Sequence, residues 1–424
     1  MFSLLENNGI FRNIYCFMSG NEGNALVCSG RDGILPGYEL GTNGLAWIGF
    51  FVAGFAIMFM LANFVMLGAA IYVWTDRRLL ARFQTRLGPN RVGPFGLLQP
   101  IADIIKLLSK EDTVPRVADK IVFLIAPILF LMPVILIMAV VPFSRGTFLA
   151  DLNIAVLYFV ALGGVGSLAI FMAGWSSGNR YALFGAMRAV AVLLSYEIPI
   201  VIALVGVVLL AGSMSMVKIA DSQQYIAYLL VQPIGAFVFF LGSLAEVNRA
   251  PFDVVEAESE LIAGYHIEYS GIKFALFQAA EFGAVLVTSA IIVNLFLGGW
   301  HGPFLSTQLG ALWFLMKVIM VVFIFEWIRA TVPRLRVDQV MAFAWKCLFP
   351  LSLINLLLTT LEDYFFRDSV TGIIPAGSLW IMAAINIIAA FVCIPMFGYL
   401  IKDKLSVPSR EPKPVADFKI GEDT

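Results

Sequence analysis

Long apolar runs separated by short polar segments dominate the sequence. Nine of these runs reach the roughly 20 residues that an α-helix needs to cross a bilayer. They lie near residues 45–74, 120–142, 152–175, 182–211, 226–245, 274–297, 309–330, 342–361 and 377–401. The pattern predicts an all-α, polytopic transmembrane protein of about nine spans, with a membrane core over 45–361. Residues 1–44 form an N-terminal segment, and residues 362–424 add a span and a tail.

Composition supports a membrane protein and excludes other classes. Of the 424 residues, 60% are hydrophobic and 13% are charged, and the mean hydropathy is +0.88. A soluble globular protein has a lower apolar share and a higher charged share. The formal net charge of -1 argues against nucleic acid, which requires a basic surface. The first apolar run is far longer than a signal-peptide core, so we interpret it as a retained span.

Lysine and arginine are concentrated in alternate loops. They are numerous in residues 75–120, 329–346 and the C-terminal tail, and sparse in the segments between. The positive-inside rule therefore predicts that the N-terminus lies outside and that the large loops, including residues 246–273, are cytoplasmic.

The segment 246–273 is the most acidic part of the chain. Its six carboxylates are Glu246, Asp253, Glu256, Glu258, Glu260 and Glu268. Asp253 is placed to cap a helix that begins at Val254, with Glu256 as the reciprocal capping residue. Closely spaced acids that are shielded from water have some raised pKa values, which suits proton storage or transfer. The alternative is a solvated acidic loop with a well-capped helix.

The loop 75–120 combines turns with an amphipathic helix. Glycine and proline recur between residues 88 and 100 and predict a rigid, turn-rich path. From Leu97 to Lys110, apolar residues recur at helical spacing, with Gln99, Asp103 and Lys106 on the other face. This pattern predicts an interfacial helix that is too short to span. Taken alone, it is also compatible with a surface helix that has no chemical role.

The ionisable residues Glu197, Glu281 and Lys317 fall inside predicted spans. A charge at the bilayer centre costs about 2.5 kcal/mol or more on insertion scales, so an unpaired, lipid-facing side chain is disfavoured. Two interpretations remain open, namely proton transfer and a structural role as a neutral glutamate or a lysine–glutamate pair.

Metal and nucleotide sites have weak support. Cys16, Cys28, Cys347 and Cys393 include no CxxC pair, which argues against an iron–sulfur or zinc site within this chain. Cys16 and Cys28 fall on the predicted outer side, where a disulfide and two free thiols are both compatible with the sequence. We therefore expect no metal site.

Four long motifs resemble one protein family. They are LGPNRVGPFGLLQPIADIIKLL, SSGNRYALFGAMRAVAVLLSYEIP, LAEVNRAPFDVVEAESELIAGYHIEYSGIKFALFQAAEF and WIRATVPRLRVDQVMAFAWK. In this order they resemble the H subunit of bacterial NADH-quinone oxidoreductase, the counterpart of mitochondrial subunit 1 of respiratory complex I. The resemblance covers about residues 45–361. It implies a membrane-arm subunit in the bacterial inner membrane that contacts the peripheral arm, forms much of a quinone chamber and begins an acidic path for proton translocation.

The resemblance also implies roles for individual residues. Those expected to line or adjoin the quinone chamber are Arg77, Asp103, Phe252, Glu268 and the other acids of the 246–268 segment. Glu197 and Glu281 would begin the polar path inside the membrane. Asp76-Arg77-Arg78 departs from the Glu-Arg-Lys that is common in the family. The shorter acid keeps the charge but changes its reach, so Asp76 is not expected to act identically to a glutamate.

Quinone is then the expected substrate, while flavin and iron–sulfur clusters belong to partner subunits. The same pattern suits the corresponding subunit of a related hydrogenase or another donor-quinone oxidoreductase. A free-standing secondary transporter is a further alternative, although loops 75–120 and 246–273 do not resemble each other as an inverted repeat requires. A passive anchor for a soluble enzyme is less compatible with the six-acid segment.

Overall fold

Helices make up most of the part of the chain that the computed structural model describes, which is residues 44–145, 149–253, 264–302, 309–367 and 375–405. The α-helices are α1 (Gly44–Phe83), α2 (Gln99–Ser109), α3 (Lys120–Met138), α4 (Ala155–Ser176), α5 (Arg180–Ala211), α6 (Met216–Ser222), α7 (Tyr228–Val231), α8 (Pro233–Glu246), α9 (Gly271–Phe296), α10 (Gly310–Thr331), α11 (Val337–Phe343), α12 (Phe349–Phe366) and α13 (Ala376–Leu405). This architecture confirms the all-α membrane fold. A π-helical turn, Ala344–Leu348, joins α11 to α12.

Within these residues, eight helices are long and apolar enough to cross a membrane. Eight of the nine predicted spans correspond to them. The run 226–245 is instead divided into α7 and α8, and α8 has 14 residues. At about 1.5 Å per residue, α8 is roughly 21 Å long, shorter than the apolar layer of about 30 Å. Pro233 begins α8 because it has no N–H to contribute to a preceding helical turn.

Helices α5 and α9 lie at the centre of the bundle. In their most apolar stretches, 56% and 61% of the residues are buried, compared with 28% in α1, α10 and α13. Helix α5 packs against α4, α8 and α12, while α9 packs against α1, α3 and α10. The peripheral helices consequently present many apolar side chains outward, as expected for contact with lipid.

Small residues allow the central helices to approach closely. A methyl group added at Gly242 of α8 would collide with Ile200 of α5, and one added at Gly174 of α4 would collide with Ala186 of α5. Such close backbone approach is the usual basis of helix association in membranes, where apolar burial offers little gain over lipid. It fixes α4, α5 and α8 in one packed unit.

Gln223 ties together three helix ends on the opposite side of the bundle from the α5 N-terminus. Its side-chain nitrogen donates to the carbonyls of Ile219, Asn294 and Leu295 at 3.2, 2.9 and 3.1 Å. Its side-chain oxygen accepts from the backbone N–H groups of Tyr228 and Gly298 at 3.1 and 2.9 Å. One buried amide therefore contacts five backbone groups at the ends of α6, α7 and α9, with its two N–H groups shared among three carbonyls.

Lys317 of α10 has a related role. Its ammonium group donates to the carbonyls of Leu297, Gly299 and His301 at 2.6, 3.0 and 2.6 Å. All three ammonium hydrogens can thus be used on the turn that follows α9. The positive charge also complements the C-terminal end of the α9 dipole. Between the two interpretations left open by the sequence, these contacts favour a structural role for Lys317, with backbone carbonyls in place of a glutamate partner.

Replacing Lys317 with methionine should lower stability without changing the fold. Hydrogen bonds to a charged group contribute roughly 1.5–3 kcal/mol, and the substitution leaves several carbonyls of the 297–301 turn without a donor. Thermal unfolding in mild detergent would measure the loss. Lys218→Met, at an exposed lysine in α6, is the matched control. Equal midpoints for the two variants would contradict this role.

Candidate functional site

The first part of the site lies where α1 meets α2. Arg77 Nη1 is 2.5 Å from Asp103 Oδ2, and Lys106 Nζ is 3.7 Å from Asp103 Oδ1. Gln99 also donates to Asp103 at 3.3 Å. The predicted polar face of the amphipathic helix therefore binds the end of α1. Exposed apolar side chains on α2 include Leu98, Ile101, Ile104, Ile105 and Leu108.

The glycine and proline content predicts a rigid, turn-rich path before α2, and side chains of α1 hold this path in place. Trp74 and Arg78 both donate to the carbonyl of Phe95, at 3.2 and 3.1 Å. Gly96 has a φ of 78°, and its Cα approaches the Pro89 carbonyl so closely that a Cβ would collide with it. The path is thus fixed by α1 side chains and by one glycine that has no room for a side chain.

The second part of the site is the turn after α8. Phe252 is 2% exposed, and its ring packs against Tyr196 and Phe343 at centroid distances of 5.3 and 6.2 Å. The N–H of Leu335 donates to the carbonyl of Pro251 at 3.1 Å. The acidic segment is therefore joined at its start to the segment between α10 and α11. In this arrangement Phe252 is a packed aromatic residue that positions the turn.

Arg249 occupies the inner side of the same turn. Its guanidinium lies 4.7 Å from the ring centroid of Phe282 and 5.5 Å from that of Tyr72. The residue is only 9% exposed, so these cation–π contacts form away from bulk water, where they are strongest. Arg249 thus places a positive charge between α1, α9 and the acidic segment.

The third part of the site is the short segment between the acidic loop and α9. Tyr265 donates a hydrogen bond to Glu281 Oε1 at 2.9 Å. Asn179 caps α5 with its side-chain oxygen and donates from its side-chain nitrogen to Glu268 Oε1 at 2.7 Å. The segment before α9 is thereby joined to α9 through Tyr265 and to the start of α5 through Glu268.

His266 lies between these groups and is 8% exposed. Burial lowers its pKa to about 4, and the negative charge of Asp253 opposes the effect only in part. Within the described residues, Nδ1 of His266 has no hydrogen-bond partner. The imidazole is therefore neutral at physiological pH, and its ring packs against that of Tyr265 at a centroid distance of 4.9 Å. Burial also raises the pKa of Tyr269 to about 12, an effect that the Ser176 hydroxyl opposes.

The fourth part of the site is inside the bundle, where Glu197 of α5 and Glu246 of α8 face adjacent glycines of α4. A Cβ added at Gly163 would lie 3.2 Å from Glu246 Oε1, and one added at Gly164 would lie 3.8 Å from Glu197 Oε1. The two carboxylates are thus neighbours across the same short stretch of α4. Residues with side chains at these positions would restrict the space that the carboxylates occupy.

A cavity between α3, α4 and α9 adjoins this pair. Its volume is about 80 Å³, which is room for several water molecules. Its wall is mostly apolar, with Glu246, Ser167 and Thr288 as polar exceptions. Glu246 is partly exposed, and it forms part of the cavity wall. The arrangement provides an acid inside the bundle beside a space that can hold water.

Some predicted residues lie beyond what the structure describes. Glu256, Glu258 and Glu260, together with the predicted cap by Asp253 of a helix at Val254, involve residues 254–263, which are outside the described residues. The same holds for Cys16 and Cys28. Across the described ranges, no group of three or more histidine, cysteine, aspartate or glutamate side chains is arranged to hold a metal ion.

The sequence did not predict a cluster of four polar residues at the α1–α10 contact, namely Tyr72, Asp76, Glu326 and Arg329. Arg329 Nη1 lies 2.5 Å from Asp76 Oδ1, and the Tyr72 hydroxyl donates to Glu326. The run VVFIFEWIRA carried a signal, since a glutamate within an apolar span is a candidate functional residue in its own right. Its partners Tyr72 and Asp76 could not be assigned, because they are about 250 positions away in the chain.

These features define a multi-pass membrane protein with carboxylates both on a polar loop surface and inside the helical bundle. A family model described as NADH dehydrogenase matches residues 55–360, and the chain belongs to this family. The NADH-quinone oxidoreductase H subunit of Dehalococcoides mccartyi strain CBDB1 is 50% identical over 343 residues, covering 81% of this chain and 94% of the relative. The H subunit of Geobacillus sp. strain WCH70 is 45% identical over 320 residues, covering 75% and 95%.

The lowered pKa of His266 predicts a pH-dependent stability. As pH falls below about 6.5, an unfolded histidine binds a proton, whereas the folded one stays neutral until about pH 4. Stability from this residue is therefore complete above about pH 6.5 and is lost between there and pH 4, by on the order of 3 kcal/mol. His266→Asn should flatten the fall of the unfolding midpoint over this range. An unchanged slope would show that His266 protonates as readily in the folded protein as in the unfolded one.

Proposed function

We propose that this chain is the membrane subunit of a proton-translocating NADH-quinone oxidoreductase, where it forms part of the quinone-binding chamber and couples quinone reduction to proton pumping. Membership of the family supports the overall activity. The observation that carries the coupling role is the hydrogen bond from Tyr265, in the acidic segment, to Glu281 inside α9. It joins a polar loop surface to a carboxylate within a membrane helix.

The chamber would lie between the α1–α2 contact and the turn after α8. Arg77 and Asp103 would frame its opening, with the exposed apolar face of α2 toward the lipid. A long apolar quinone must come from the bilayer, so an amphipathic helix at the interface suits this position. Glu268 and the acids of the 253–260 segment would adjoin the chamber, and Phe252 would position its wall.

The proton path would continue through three acids inside the bundle. Glu281 accepts the hydrogen bond of Tyr265. Glu246 and Glu197 lie beside the adjacent glycines Gly163 and Gly164 of α4. Neighbouring carboxylates in a poorly hydrated space titrate together, so a change of charge at one alters proton occupancy at the next. Quinone reduction consumes protons and would supply that change in charge.

The chain acts with partners and supplies no redox group of its own. Flavin and iron–sulfur clusters would be held by peripheral-arm subunits, and other membrane-arm subunits would extend the proton path. We place the complex in the bacterial inner membrane, with the N-terminus outside and the acidic segment cytoplasmic. A related hydrogenase or another donor-quinone oxidoreductase is the second candidate, because the residues of the proposed chamber would contact quinone and carry no information on the electron donor.

Purification through a tag on this chain should yield a large complex with cluster-bearing partners that reduces quinone with NADH. In that complex, Asp103→Leu should raise the apparent KM for quinone several-fold, because it removes the contacts that hold α2 against Arg77. Transfer from NADH to an artificial soluble acceptor should persist. Lys110→Leu, at the end of the same helix, is the matched control. A lone polypeptide would contradict the proposed function, whereas equal loss of both activities would indicate misassembly.

Replacing Glu281 or Glu197 with glutamine should block coupling in an assembled complex. Glutamine retains size and most hydrogen bonds but carries no titratable proton, so quinone reduction and proton pumping should fall together. Glu362→Gln tests the specificity, because Glu362 is a carboxylate in another membrane helix, where it accepts from Asn386. If the doubly substituted complex kept its rate and proton-to-electron ratio, both glutamates would be structural.

A further inference from the structure

Two acids that are distant in sequence meet where α1 packs against α10. Asp76 is 4% exposed and Glu326 is 2% exposed. Both lie within helices that are long enough to cross the membrane. The proton path described above uses neither of them. Burying two carboxylates side by side is costly unless their charge is compensated and their oxygens are hydrogen-bonded.

Hydrogen bonds and an ion pair stabilise some of the oxygens of these two acids. The Tyr72 hydroxyl donates to Oε1 of Glu326. Arg329 is directed mainly at the other acid, since its Nη1 is 2.5 Å from Asp76 Oδ1 and 3.9 Å from Glu326 Oε2. Asp76 and Arg329 therefore form the ion pair, and Glu326 is oriented by the tyrosine.

The second oxygen of Glu326 is the unusual feature. Oε2 is buried and has no donor within the part of the chain that the structure describes. The carboxyl group of Asp76 is its neighbour, because the same nitrogen of Arg329 lies 2.5 Å from Asp76 Oδ1 and 3.9 Å from Glu326 Oε2. Two ionised carboxylates are both acceptors and cannot bond to each other. One proton between them would satisfy Oε2 and turn a repulsive contact into a hydrogen bond.

The surrounding charges also favour one proton on this pair of acids. In the described structure, Arg329 is the cation within ion-pair distance of these two acids. Arg249 also attracts Asp76, but from outside ion-pair distance, because its guanidinium lies over the rings of Phe282 and Tyr72. A single close cation compensates one carboxylate, so the other is more stable as the neutral acid.

We propose that Asp76 and Glu326 share one proton and that this proton is released and taken up during quinone turnover. The pair adjoins the chamber, because Arg77 follows Asp76 and binds Asp103 on α2. Release breaks the carboxylic O–H bond and leaves one additional negative charge beside Arg329, and uptake restores the acid. No electron transfer is involved. The location and use of this site rest on the proposed function, whereas the shared proton itself does not.

Infrared spectroscopy of the purified complex tests the shared proton directly. The wild-type complex should show the carbonyl band of a protonated carboxyl group that disappears in Glu326→Gln. Glutamine can still accept from Tyr72 and donate to Asp76, so the local structure should persist. Tyr72→Phe should retain the band but move it to higher frequency, because a hydrogen bond to the carboxyl group is lost. An unchanged band pattern in Glu326→Gln would overturn the proposal, since both acids would then be ionised.

A second measurement tests whether turnover uses the proton. The pH profile of NADH-driven quinone reduction should shift in Glu326→Gln and fall several-fold at its maximum, while transfer to an artificial soluble acceptor persists. Glu362→Gln, at a buried acid outside the path, should leave the profile unchanged. Loss of the infrared band with an unchanged pH profile would show that the proton is bound but unused, which would overturn the role in turnover. Absence of quinone reduction in the wild-type complex would count against the proposed function instead.

Discussion

A polar group buried in a bilayer has to find its partner within the protein, because no water is present to replace one. This constraint organises the described structure. Gln223 and Lys317 complete the helix ends on one side of the bundle, and Asn355 accepts from the N–H of Gly235 in the first turn of α8. Broken helices are possible here only because such side chains supply the missing hydrogen bonds.

The same constraint explains why the carboxylates occupy special positions. Tyr265 donates a hydrogen bond to Glu281, and Asn179 donates one to Glu268. Tyr72 donates to Glu326, and Arg329 forms an ion pair with Asp76. In each case the partner comes from another helix or from a connecting segment. Movement of one element therefore changes the hydrogen bonding of an acid on its neighbour. This is the physical requirement for coupling a binding event at the loops to proton occupancy inside the bundle.

Close helix packing gives this arrangement its rigidity. Glycines at the α4–α5 and α5–α8 contacts bring backbones together, and Gly163 leaves just enough space for the Glu246 carboxylate. The cavity beside Glu246 exists because the apolar side chains around it do not fill the space between α3, α4 and α9. In the proposed proton path, this cavity is the hydratable space beside Glu246.

The sequence by itself determined the all-helical membrane fold, nearly all the spans, the amphipathic α2 and the acidic segment, since these depend on local composition and hydrophobic periodicity. Tertiary structure decided the rest, because it depends on contacts between distant residues. The division of the 226–245 run required knowing that α7 and α8 could be capped by other helices. Helix packing likewise determines the carbonyl partners of Lys317, the Tyr265–Glu281 hydrogen bond and the Glu326–Asp76 pair. Hydropathy describes each position separately and carries no information on which distant residues meet.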